Sequence, residues 1–307
     1  MDEKSRRYFI IGTLLCFLGA IFFSTKAIFV KLAYRDTNVD AVSLLALRML
    51  FSLPFFIASA WFTSRQRANV KFTLKRWLMV ALVGCLGYYI SSLLDFIGLQ
   101  YVTAGIERLI LFIYPTLVLI MSSFLFKQKV RLIQWVAIVV TYLGLLTALF
   151  GEIDFSPANN KDFVVGSVYI FICAITFAAY IVGSGRLIPA VGANKFNSYA
   201  MSFACIGVLT HFFVTTDHSL VNFSWQIYLY GAVMALFSTI IPSYLISGGI
   251  KRVGSENAAI IGSVGPISTI LQAYFFLGEP ITVLQIVGTI LILIGVLIIG
   301  RKPNVHG

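Results

Sequence analysis

Long apolar runs, closed by short polar turns, alternate along the whole chain. Ten of them read as helices, over 8–31, 40–62, 77–99, 104–126, 131–150, 164–185, 196–215, 225–249, 257–277 and 281–300. About 20 helical residues at about 1.5 Å each match a hydrocarbon core roughly 30 Å thick. Inside that core no water satisfies the backbone, so each run must close its own hydrogen bonds. A membrane barrel would alternate polar and apolar positions, and these runs do not. The pattern predicts an all-α integral membrane protein with ten transmembrane helices.

The runs also repeat. Residues 98–146 return without a gap 151 positions later, with Gly98, Val102, Ile110, Pro115, Phe124, Gln134 and Gly144 falling on Gly249, Val253, Ile261, Pro266, Phe275, Gln285 and Gly295. Five apolar segments separate each site from its copy. An odd number of crossings turns the second copy upside down, which is the layout of an inverted-repeat transporter. The expected organisation is a first five-helix repeat over 1–150, an outer linker over 151–163, and a second five-helix repeat over 164–307, enclosing a central cavity. Loops this short leave no room for a soluble catalytic or sensory domain.

Composition agrees. The chain is 59% hydrophobic and 11% charged, with mean hydropathy +0.92, against roughly 45–50% and 25% in soluble domains. The net charge of +11 would suit nucleic acid, but its placement does not. Lys4, Arg6, Arg7, Arg65, Arg67, Lys71, Lys75, Arg76, Lys127, Lys129, Arg131, Arg186, Lys195, Lys251, Arg252, Arg301 and Lys302 all fall in one set of alternate loops. The other set holds Lys31, Arg35 and Lys161 beside Asp36, Glu152, Asp154, Asp162 and Asp217. The positive-inside rule then puts both termini in the cytoplasm, with the chain multi-pass in the cytoplasmic (inner) membrane. The expected partners are the lipid bilayer and a small-molecule substrate, with no nucleic acid. Cys16, Cys85, Cys173 and Cys205 lie inside apolar helices without metal-ligand spacing, and His211 and His218 lack a third ligand, so neither metal nor cofactor is expected.

Proline interrupts the pattern twice at matching places. Pro115 in the fourth run and Pro266 in the ninth each remove a backbone hydrogen bond and are expected to bend their helices mid-way, as movable elements of alternating access.

Three stretches resemble one family. FFLGEPITVLQIVGTILILIGVLI (275–298), GLQYVTAGIERLILFIYPTLV (98–118) and LALRML (45–50) are similar to the closing Gly-Glu-Pro signature, the third-to-fourth helix hairpin and the arginine-bearing second helix of EamA transporters in the drug/metabolite transporter superfamily. The resemblance covers essentially the whole chain. It implies ten helices around a cavity and transport of a small metabolite, usually outward. Two places depart from it. Lys127-Gln128-Lys129 stands where the first repeat's Gly-Glu-Pro would fall, and Phe23, Ser24 and Lys26 replace the Trp-Gly and Asn of many relatives.

Ionisable residues inside a membrane cost roughly 2.5–3.5 kcal/mol each and mark functional sites. Lys26, Arg48, Asp95, Glu107 and Arg108 come from four helices of the first repeat, and all fall within about 5–12 Å of the outer membrane surface. The second repeat carries Tyr180, Ile246, Ala258 and Ala259 at the positions matching Lys26, Asp95, Glu107 and Arg108, so the scaffold itself does not demand these charges. Three cations against two anions leave one positive charge for a substrate carboxylate, to be received by Lys26 or Arg48. Asp95 or Glu107 would hold the other cation, meet a substrate amine, or carry a coupling proton. Tyr114 and Tyr180 are expected to line the cavity, and Ser243, Ser263 and Gln272 to add hydrogen bonds. The chain reads as a secondary transporter exporting a small zwitterionic or anionic, amino-acid-like metabolite, with export of organic cations or drugs as the alternative. A membrane enzyme or a sensor fits less well, since no nucleophile–base set is spaced for catalysis.

Overall fold

The computed structural model describes residues 3–65, 72–126, 132–150, 160–216, 219–262 and 264–300. Among these the chain is helical throughout: α1 (Glu3–Asp36), α2 (Ala41–Ser64), α3 (Leu74–Gly98), α4 (Ala104–Leu111, then Tyr114–Phe126), α5 (Leu132–Phe150), α6 (Asn160–Val191), α7 (Ala193–Thr215), α8 (Trp225–Ala235, then Ile241–Gly262 after a π turn), α9 (Val264–Leu277) and α10 (Val283–Gly300). Eight are long and apolar enough to cross a membrane, while Val264–Leu277 and Val283–Ile298 are apolar but shorter. Side-chain caps start several of them: Asp40 accepts from Ser43 N, Thr73 from Arg76 N and Thr103 from Ile106 N, satisfying first-turn amides that lack partners within the helix.

The principal packing pairs come in twos. α1 lies on α8 as α6 lies on α3; α1 meets α9 as α6 meets α4; α2 meets α8 as α7 meets α3. The pairs α2–α7, α4–α9 and α5–α10 map onto themselves. Moving every helix five places along the chain therefore regenerates the set. At the α5–α10 contact a Cβ on Gly144 would stand 2.7 Å from the Gly288 carbonyl oxygen, so the backbones touch there, as small residues allow between membrane helices. The outer surface is apolar. Phe124 is 88% exposed and its repeat partner Phe275 73%, a cost in water that disappears in lipid.

The structure corrects the predicted elements in three places. Residues 250–256, expected as a turn, continue α8 without interruption to Gly262, because a helix closes its own hydrogen bonds whatever the polarity of its side chains. At Pro115 the helix is interrupted outright rather than smoothly bent. Pro115 stands in the first turn of the second piece of α4, after the break at Phe112–Ile113, while the residue that joins Gly262 to Val264 ahead of Pro266 lies outside the described residues. A first-turn proline forfeits no helical hydrogen bond, since its missing N–H would have had no partner. The third difference is in α3 and α8, which each contain a π turn, at Cys85–Ile90 and Leu236–Ile240. The two turns begin at positions related by the same 151-residue offset as the sequence repeat.

Candidate functional site

Four of the five intramembrane ionisable groups are deeply buried: Lys26 is 8% exposed, Arg48 1%, and Asp95 and Glu107 0%. Three of them form one cluster. Lys26 Nζ, from α1, stands 2.7 Å from Asp95 Oδ2 of α3 and 3.4 Å from Glu107 Oε1 of α4. Both carboxylates therefore converge on a single ammonium. Asp95 Oδ1 and Glu107 Oε2 receive no donor from another residue, and the two acids stand close enough to interact with one another.

Arg48 is placed differently. Its Nε donates to Thr239 Oγ1 at 2.7 Å, and its guanidinium lies 5.4 Å from the Phe96 ring centroid. Its Nη1 is buried without a partner. Among the described residues no carboxylate lies within ion-pair distance of Arg48. Thr239 donates in turn to Met234 O at 3.1 Å, five residues back in the π turn, so its hydroxyl is already satisfied as a donor and accepts from Arg48. No sequence pattern singled out Thr239. It reaches Arg48 through the extra residue of a π turn, which helical periodicity does not register.

Arg108 is half-buried and lies against α9. A Cβ at Gly265 would collide with its Nη2, so the glycine makes room for the guanidinium. The Gly265 carbonyl accepts from Ser24 Oγ at 3.1 Å, which ties α1, α4 and α9 together at the level of the cluster.

The aromatic candidates form a connected wall. Tyr180 and Tyr88 share a hydroxyl–hydroxyl hydrogen bond of 3.1 Å, and Tyr180 stacks on Phe177 and Phe196 at 5.8 and 6.2 Å. Tyr114 meets Phe177 edge-on at 5.1 Å. Tyr88, Tyr180 and Phe196 join Arg48's neighbour Phe96 in one buried core. Ser243 spends its hydroxyl on Ile240 O at 2.9 Å and Gln272 its amide on Ser268 Oγ at 2.8 Å, so both bond within their own helices. Ser263 lies outside the described residues. His211 bonds the Tyr89 hydroxyl through Nδ1 at 2.9 Å.

The comparisons with known proteins agree with this architecture. The model of the EamA-like transporter family matches residues 10–150 and again 164–301. The chain is 30% identical over 294 residues to the Bacillus subtilis (strain 168) "Uncharacterized transporter YcbK", covering 94% of this chain and 92% of that one. It is 24% identical over 305 residues to the Synechocystis sp. "Uncharacterized transporter sll1319", covering 92% and 91%. A solved crystal structure superposes with a TM-score of 0.63 at 18% identity, over 94% of this chain and 95% of that one, which shows a shared fold. With a family match in each half of a multi-pass helical membrane protein, the chain belongs to the EamA-like transporter family.

Proposed function

We propose that the chain is a secondary transporter that exports a small solute bearing a carboxylate or similar anionic group, zwitterionic amino-acid-like metabolites among them. It works by alternating access between two inverted five-helix halves, 1–150 and 164–307, joined by 151–163. All ten helices cross the cytoplasmic membrane and both termini face the cytoplasm. The observation that carries this reading is Arg48: a buried guanidinium whose Nη1 has no hydrogen-bond partner and which has no carboxylate within ion-pair distance among the described residues. A desolvated unpaired cation is costly, and an arriving anion removes the cost. Lys26 is already held by two carboxylates, so of the two cations considered it is Arg48 that receives the solute, with Tyr88, Tyr180 and Phe96 as apolar walls beside it.

The engagement of both acids with Lys26 also weighs against the organic-cation alternative, since neither acid stands alone to pair with a cationic drug. Counterflow in proteoliposomes separates the two readings. Zwitterionic or anionic metabolites should compete with one another for uptake, and Arg48→Met should abolish that uptake. Competition by lipophilic cations alone, surviving in Arg48→Met, would reject the anion reading.

A further inference from the structure

The Gly-Glu-Pro turn between α9 and α10 docks on the start of α4. Glu279 Oε1 accepts from Ala104 N at 3.0 Å and its Oε2 from Gly105 N at 3.3 Å. These are first-turn amides with no acceptor inside their helix, and the positive end of the helix dipole adds attraction for a carboxylate. Gly278, at φ +69°, lets the chain leave α9 so that Glu279 can reach across. The adjacent α3–α4 turn is held from a second side: Lys31 Nζ, on α1, donates to Leu99 O at 3.2 Å and Val102 O at 3.0 Å, and Tyr34 donates to Phe96 O at 2.8 Å. An open cavity of about 640 Å³, lined by Lys31, Tyr34, Asn38, Gln100, Leu277 and Glu279, lies on this same face of the bundle. The Lys26 cluster belongs to the same three elements, α1, α3 and α4.

We propose that Glu279 is the latch of this face. Its carboxylate caps α4 of the first half from a turn of the second half, and so holds the two halves shut above the charged cluster. The proposal rests on the transporter reading in that a latch needs a path to close. The repeat itself does not require an acid at such a turn, because the aligned position in the first half is Gln128. Opening the face would separate the α9–α10 turn from α4 and leave two helix amides and one carboxylate to water, which makes Glu279 a control on how often the site is exposed there.

Cys173 supplies a native reporter. It is 1% exposed, on α6, with its Sγ 3.2 Å from Ser91 Oγ of α3, in the shell of the Lys26–Asp95 pair. With Cys16, Cys85 and Cys205 replaced by alanine, a membrane-impermeant methanethiosulfonate is added to right-side-out and to inverted vesicles and the rate of Cys173 labelling is followed. Glu279→Ala should raise the rate roughly tenfold in the right-side-out preparation, the population shift expected from losing one helix cap, and Glu279→Gln should raise it less. Ala104→Pro attacks the same contact from the other side, removing a donor at a first helical position where proline is tolerated, and should also raise the rate. Labelling at the parental rate in all three variants overturns the latch. The measurement needs no solute, so transport failure in the Arg48 experiment leaves its outcome intact.

Discussion

Lys26 and Arg48 are both buried cations of the same half, yet their removal should have opposite structural consequences. Lys26 holds two carboxylates at 2.7 and 3.4 Å. At an effective dielectric of about 20 the two attractions are on the order of 6 and 5 kcal/mol before desolvation is subtracted. Lys26→Met leaves two adjacent buried acids with no counter-ion, and breaking a buried pair in this way typically costs about 3–5 kcal/mol. Arg48→Met loses one hydrogen bond, to Thr239, worth about 1 kcal/mol. It also removes a charge with an unsatisfied Nη1, and Thr239 keeps its own bond to Met234 O. The net change should stay within about 1 kcal/mol. Thermal unfolding of the purified protein in mild detergent, followed by tryptophan fluorescence, should therefore give a much lower midpoint for Lys26→Met and a near-parental one for Arg48→Met, while both lose transport. Equal midpoints for the two variants would refute the assignment of Lys26 to the scaffold and Arg48 to the solute.

Two further expectations follow from the same contacts. Thr239→Val strips Arg48 of its described hydrogen-bond acceptor and should destabilise by about 1–3 kcal/mol, more than Arg48→Met does, which the same melting measurement reads directly. Gly144→Ala drives a methyl against the Gly288 backbone carbonyl and should cost about 1–3 kcal/mol. Gly265→Ala meets only the movable end of Arg108, so it should leave the midpoint within about 1 kcal/mol of the parent and change transport instead.

The sequence made the membrane class readable because lipid imposes one constraint, about 20 apolar residues per crossing, that needs no tertiary information. The internal repeat was equally readable, since its 151-residue offset survives in Gly98/Gly249 and Pro115/Pro266. The buried charges stood out through their cost in lipid. Their pairing did not, because periodicity says which residues share a helix face and not which neighbour that face meets. Hence Lys26 and Arg48 looked equivalent as receivers until Asp95 and Glu107 were seen on the same ammonium. The run 250–256 read as a turn on polarity alone, yet α8 continues through it. Glu279 was visible as part of a family signature, but its contact with Ala104 and Gly105 spans more than half the chain.

The least legible feature is also the one that organises the site. CLGYYI in α3 and LFSTI in α8 share almost no side-chain character, yet both wind as π turns from positions related by the repeat offset. Each inserts one residue into the helical count, which swings the residues at its end onto a face an α-helix would not present. In α3 that residue is Tyr88, which crosses to Tyr180 of α6; in α8 it is Thr239, at the equivalent position, which crosses to Arg48 of α2. Arg48 is thus bonded by one π turn and lies within electrostatic reach of Asp95 and, more weakly, of Tyr88 in the other π turn. The two halves have kept a common backbone irregularity while exchanging the residue it presents, a tyrosine for a threonine. A packing defect retained only for the fold would not need to deliver a polar group to the partner half in both copies. Geometry held constant while the delivered chemistry differs is what the proposed solute site at Arg48 requires, since a solute that is not itself symmetric needs different groups from the two halves.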